Sequence, residues 1–461
     1  MPNEPTSRGA QQERNTRDAY PRDLAALVAE RWEDRSGASD RPDRDPVHPL
    51  PEASVLEGAL SACYQASLLR EEELPVIFRL ALCGPEAFPA EGGPPNGLQR
   101  LEFPESRPFD AQELRRLSPA TDFPRSIVGA GHDGERGLRI WGLVHTGPRW
   151  LRDRQGGRVT SPPLPPLPIV HVTGPGRMEV RKGSEIIGKL ENGELSDASM
   201  DVFESEWLPA GFATARAELM ELHLAARGRA RELDGERWAS LDPDLARLIG
   251  TQMFKRLVST VRNFGRGGTV VFVPPERTEE FSGENRFVAL KYRFSDGEQR
   301  RRFRTLIVGT MNRLAKAHGY DGDGSAGEAR TPGTVGWREY QESNDQEVAA
   351  LEEAIMEVAH LVAALAKCDG AVVMSRRYEV LGFGGEISGK LADVDTVLRA
   401  LDVEGEEFEE EPTESVGTRH RSAYRLCKEL PDVLTVVVSK DGDVRFARRL
   451  EGGEVAYWDQ A

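Results

Sequence analysis

Two short runs in the last quarter of this chain carry side chains able to act on a phosphate ester. In the first, Asp369-Gly370-Ala371 follows a helix-like run and opens the strand-like Val372-Val373-Met374. Its carboxylate suits proton acceptance or metal binding, although an isolated Asp-Gly is also ordinary turn chemistry. In the second, Gly417-Thr418-Arg419-His420-Arg421 precedes another helix-like run. That order sets two guanidinium forks, an imidazole, a hydroxyl and backbone N–H groups at the positive end of a helix, where polyphosphate binds well. Taken singly, the two arginines read equally as surface residues paired with the nearby acidic stretch.

These runs need elements to hold them. Helical periodicity over residues 347–367 feeds a strand over 370–375, and a strand over 378–384 ends in Gly384-Gly385. A short helix is expected from Ala392 to Leu401, then a loop over 402–414 with eight acidic residues. The Gly-Thr-Arg-His-Arg helix runs to Leu430, followed by a strand from Leu434 to Ser439, a Lys440-Asp441-Gly442 turn and a last strand pair. The pattern predicts a mixed α/β fold over residues 346–461, with a central mixed sheet flanked by helices.

Upstream, residues 1–50 are rich in Arg, Asp, Pro and Gly and read as a disordered tail, with one helix-like patch from Leu24 to Trp32. Residues 51–345 read as a larger mixed α/β domain. Its expected strands include 75–80, 137–144 and 169–172, and a β-meander follows as far as Leu195. Helices are expected over 213–231, 243–262 and 303–317, with strands over 269–273 and 287–294. The prolines at 162, 163, 165, 166 and 168 read as a stiff connector. Residues 318–345 are linker-like, so a domain boundary is expected near residue 345.

A formal net charge of −16 argues against broad binding to nucleic acid or an anionic membrane. No apolar run approaches the roughly 20 residues of a membrane helix. The four cysteines show no metal-ligand spacing and read as reduced thiols, which favours a cytoplasmic protein. The other histidines show no ligand spacing either.

Asp-Gly-Ala, then Gly-Thr-Arg-His-Arg, then an apolar strand ending in Val-Val-Ser, resembles the diadenylate cyclase (DAC) domain over residues 346–461. The resemblance implies condensation of two ATP molecules into cyclic di-AMP with release of two pyrophosphates, assisted by Mg²⁺ or Mn²⁺. It implies a face-to-face homodimer or higher oligomer, and a preceding domain that senses a ligand or protein. It assigns Asp369, Gly370 and Ala371 to catalysis, and Gly417, Thr418, Arg419, His420, Arg421 and Ser439 to the ATP phosphates. Phe383, Gly384, Gly385 and Glu386 would line the adenosine pocket, and Asp369 and Asp441 would hold the metal. Two departures stand out. Lys440-Asp441 occupies a place where the family often has two glutamates, and Cys368 precedes Asp-Gly-Ala where many members have histidine.

Those departures keep a second reading open, a catalytically impaired protein of the same fold that binds ATP or cyclic di-AMP as a sensor. An interaction scaffold built on the acidic surface and proline-rich stretch is a third. Asn263-Phe264-Gly265-Arg266-Gly267-Gly268 reads as a helix end rather than a phosphate nest. Finally, Gly137–Gly147 parallels Tyr378–Gly389, and 170–195 parallels 436–455 in turn placement. A degenerate second copy of the domain would explain this, but shared β-hairpin chemistry is the simpler account.

Overall fold

The computed structural model describes residues 18–34, 48–93, 97–147, 155–158, 164–183, 185–191, 193–196, 200–319, 334–440 and 442–460. The chain divides into two compact units, Met1–Thr146 with Leu164–Ala198, and Gly147–Pro163 with Ser199–Ala461. Both are mixed α/β, as the periodicities imply.

In the first unit the helices are α1 (Pro21–Asp34), α2 (Ala53–Ser67) and α3 (Ala111–Leu117). Its strands are β1 (Phe78–Leu82), β2 (Gln99–Pro108), β3 (Ser126–His132), β4 (Leu138–His145), β5 (Pro168–Gly174), β6 (Arg177–Lys182), β7 (Glu185–Glu191) and β8 (Glu194–Ser196). They form one sheet in the order β8-β7-β6-β5-β1-β3-β4-β2, with β1 and β3 parallel. The expected tail is helical over α1, because Leu24, Ala25, Val28 and Trp32 form a buried stripe. That stripe seats on Gly188 of β7, where a Cβ would come within 3.0 Å of Leu24 Cδ1. Residues 1–17 and 35–47 of the expected tail lie outside the described residues.

The second unit contains α4 (Ala213–Asp234), α5 (Leu245–Asn263), β9 (Gly268–Val273), β10 (Val288–Arg293), α6 (Arg302–Ala317) and α7 (Trp337–Glu342). It continues through α8 (Gln346–Leu365), β11 (Ala371–Ser375), β12 (Val380–Ile387), β13 (Thr396–Ala400) and β14 (Phe408–Pro412). Last come α9 (Thr418–Glu429), β15 (Leu434–Val438), β16 (Val444–Arg449) and β17 (Val455–Gln460). The nine-stranded sheet runs β10-β12-β11-β9-β15-β16-β17-β13-β14.

One face of this sheet packs on α4, α5, α6 and α8 through residues such as Ile249, Met253, Leu257, Ile307 and Ile355. Each such burial contributes about 1.5–3 kcal/mol. The opposite face receives α9 through Leu426 and Leu430 against Val271, Val273 and Val373, and through Tyr424 and Cys427 against Ala447 and Tyr457.

Four expectations change here. The boundary near residue 345 falls inside the second unit, because β9 lies between β11 and β15 at the centre of the sheet. The linker-like stretch is ordered at its end, where Val335 and Tyr340 are buried and α7 forms; residues 320–333 lie outside the described residues. The helix expected from Ala392 to Leu401 is instead the strand β13, pairing with β17 and β14. Its apolar spacing fits a helix face, but Thr396 and Val397 favour a strand and the open edge of β17 supplies the ladder. The acidic stretch likewise includes strand β14 rather than a continuous loop.

Candidate functional site

Three neighbouring strands bring the two sequence motifs to one end of the second sheet. β9 and β11 are parallel, with Thr269 opposite Ala371. Gly268 and Gly267 precede one partner and Gly370 and Asp369 the other, so both pairs stand at the same end of the sheet. On the other side β9 is antiparallel to β15, with Gly268 opposite Val438, so Ser439 lies at this same end. Adjacent strands are about 5 Å apart, and the Asp369 and Ser439 backbones therefore flank the Gly267 turn.

The helix α9 enters from above this edge. Gly417 is its N-cap and has no side chain to fold back on the first N–H groups. Within the helix, the Arg421 N–H donates to the Gly417 carbonyl, leaving the Thr418, Arg419 and His420 N–H groups without intrahelical acceptors. Arg419 crosses to the turn before β9 and donates from Nη1 to the Arg266 carbonyl at 3.0 Å. A Cβ on Gly267 would lie 2.7 Å from that Nη1 and 2.5 Å from the Val438 carbonyl oxygen, and Gly267 has φ +66°. Only glycine leaves the space that Arg419 uses.

Gly370 performs a similar service on the other flank. Its φ is +105°, and a Cβ there would lie 2.6 Å from the Gly384 carbonyl carbon and 2.8 Å from the Gly385 nitrogen. Ala371 is buried and pairs with Gly385, so Gly384, Gly385 and Glu386 run beside Asp369-Gly370. Glu386 and Asp369 are exposed. Phe383 is half-buried and stacks on Tyr292 of β10, with ring centroids 4.7 Å apart.

Ser439 opens the turn into β16. Its N–H donates to the Asp443 carbonyl at 2.8 Å, and its Oγ accepts from the Asp443 N–H at 3.0 Å. Asp441, in the middle of that turn, lies outside the described residues. Thr418 and Arg421 are exposed. At about 100° per residue, Arg421 projects some 200° around the axis from Arg419, so the two forks leave α9 on different sides.

His420 turns inward. Burial, reinforced by the Arg445 and Arg419 charges and opposed by Asp443, pushes its pKa down to about 4. It is therefore neutral near pH 7, and its Nε2 is buried without a hydrogen-bond partner. Beneath it, Arg445 donates from Nε to Asp459 at 3.0 Å and from Nη1 to the Tyr424 hydroxyl at 3.3 Å, with its guanidinium 4.3 Å from the Tyr457 ring centroid. Burial pushes the Tyr424 phenol up to about 12. The motif reading missed Gly267, Arg266 and Arg445. The Gly265–Gly268 run was the available signal for the first two.

The acidic stretch is held by hydrogen bonds within its own turn and by polar contacts to the neighbouring strands β13 and β17. Asp402 accepts the N–H groups of Glu404, Gly405, Glu406 and Glu407. Glu411 accepts from the Tyr457 hydroxyl at 2.6 Å and pairs with Arg399 at 3.7 Å. Among the described residues no group of three or more His, Cys, Asp or Glu side chains could hold a metal ion, and no helix is long and apolar enough to cross a membrane. A metal carried by a nucleotide needs only one or two protein carboxylates, so Asp369 alone fits that weaker requirement.

Residues 45–145 match the family model described as "Probable sensor domain DACNV". The match covers α2 through β4 of the first unit, and supports a sensor domain associated with DAC proteins. No curated protein and no solved structure matches the chain.

Proposed function

We propose that the second unit is a diadenylate cyclase and that the first unit regulates it. The observation that carries this reading is that the paired starts of β9 and β11, Thr269 opposite Ala371, bring the turn at Gly267, against which Arg419 packs, and Asp369-Gly370 to the same end of the sheet. A carboxylate and a fixed cation thus stand at the same end of the sheet, beside the free N–H groups of α9. In each half-reaction the 3′-oxygen of one ATP attacks the α-phosphorus of the other. A new P–O bond forms, the α–β bridge breaks, and pyrophosphate leaves.

Asp369 accepts or orients the 3′-hydroxyl proton. Arg419 and the α9 N–H groups neutralise the phosphates and the departing pyrophosphate. Neutral His420 remains able to share a hydrogen bond with a phosphate oxygen. A bound Mg²⁺ or Mn²⁺ would add charge neutralisation, with Asp369 as its protein ligand. The glycines at 267, 370, 384 and 385 let the nucleotide approach the backbone. Two such units must face each other, because one holds only one ATP.

The test is product analysis after incubating purified, folded protein with ATP and either metal. Cyclic di-AMP is expected. Its absence with both metals would sink the catalytic reading. One observation favours the alternative of a nucleotide sensor that does not turn over: among the described residues no group of three or more His, Cys, Asp or Glu side chains could hold a metal ion. Tight ATP binding without product, and product on Lys440→Glu, would identify that case.

A further inference from the structure

The first unit repeats the plan of the second. Once β13 and β14, an added pair at the far edge of the second sheet, are set aside, the first seven strands of each sheet in chain order lie side by side as 2-4-3-1-5-6-7; counted with them, the second sheet runs 2-4-3-1-7-8-9-5-6. In both, strands one and three are parallel (β1 with β3, β9 with β11), and the other pairings within this set are antiparallel. In both, a helix precedes strand one, α2 in one case and α5 in the other.

The registers agree as well. Leu80 pairs with Val128 on one side and Val170 on the other, and Val170 pairs with Val180. Val270 pairs in the same way with Val372 and Val436, and Val436 with Phe446. All eight residues face the helical layer of their own unit. The equivalence sets 170 on 436, and through the third and fourth strands it sets Val144 on Gly385 and, past the register shifts, Ile140 on Val380, which brings Gly137 to within one residue of Tyr378. Those are the two sequence parallels noted above, so shared hairpin chemistry is too weak an account of them.

The same equivalence locates what the first unit lacks. Asp369 corresponds to Arg125, whose guanidinium is paired with Asp122 at 3.0 Å. Gly267, Gly370 and Gly385 correspond to Ile77, Ser126 and Val144, so each of the three glycine positions carries a side chain in the first unit. Between strands four and five, where the second unit carries Gly-Thr-Arg-His-Arg, residues 146–167 contain no such run.

We infer that the first unit is a duplicated copy of the nucleotide-binding fold that has lost its nucleotide site, so each chain holds one ATP and the second must come from another copy of the chain. This rests on the nucleotide reading of the second unit.

Calorimetric titration of the full chain with a non-hydrolysable ATP analogue and Mg²⁺ tests it. One site per chain is expected, and Arg419→Ala or the milder Arg419→Gln should weaken that site at least tenfold. Circular dichroism would check that both variants fold. Two sites per chain, or an unweakened site in both variants, would overturn the inference and leave the cyclase proposal standing. No binding by folded wild-type protein would overturn the nucleotide reading and this inference together.

Discussion

Arg419 Nη1 and the Arg266 carbonyl are hydrogen-bonded at 3.0 Å, joining residues 153 positions apart. This bond ties α9 to the turn that precedes the central strand. It also fixes a guanidinium one strand away from Asp369. The four predictions below test this arrangement from different sides.

Gly267→Val should displace Arg419. The added side chain meets the Val438 carbonyl and Arg419 Nη1 and imposes a left-handed backbone on a β-branched residue. Stability should fall by about 2–3 kcal/mol in denaturant melts. Thermal stabilisation by ATP should shrink as it does in Arg419→Ala. Full ATP stabilisation in a folded Gly267→Val protein would detach Arg419 from the nucleotide.

Gly370→Ala probes the other flank. The Cβ meets Gly384 and Gly385 at φ +105°, so a loss of about 3 kcal/mol is expected by chemical denaturation. Gly389→Ala, which has open space around its Cβ, serves as the control and should be close to neutral.

His420 should titrate far below an ordinary histidine. Its folded pKa is depressed to about 4, while the unfolded chain protonates near 6.5. Between these values the unfolded state binds more protons, so this group's contribution to stability is present above about pH 6.5 and is lost as pH falls towards 4. Imidazole proton shifts measured by NMR should show the transition near pH 4. Arg445→Met removes a neighbouring positive charge and should move the transition upward. A titration near 6.5 in the unmodified protein would contradict the buried placement of the ring.

Much of this site was legible because its chemistry is local in sequence. A glycine N-cap, a run of cations and an amphipathic helix sit together in residues 417–429. The partition of the chain was not legible. β9 enters the centre of the sheet by pairing with β11 and β15, whose sequences begin far downstream, and no local pattern announces such pairing. β13 misled for a related reason, since Val394, Val397, Leu398 and Leu401 fit one helical face until the free edge of β17 is known. The repeated fold was faint because the first unit kept the apolar ladder and lost the chemistry. Hydrophobic identity drifts freely when burial is all that is required.

Asp369→Asn gives the sharpest test of the central claim, that one carboxylate and one cation act on the same nucleotide. Cyclic di-AMP formation and ATP affinity are to be measured side by side on the wild type and this variant. The expected result is a turnover loss of at least about 100-fold with ATP affinity within about threefold of wild type. Unchanged turnover, or lost affinity with turnover per bound ATP intact, would contradict the role given to Asp369.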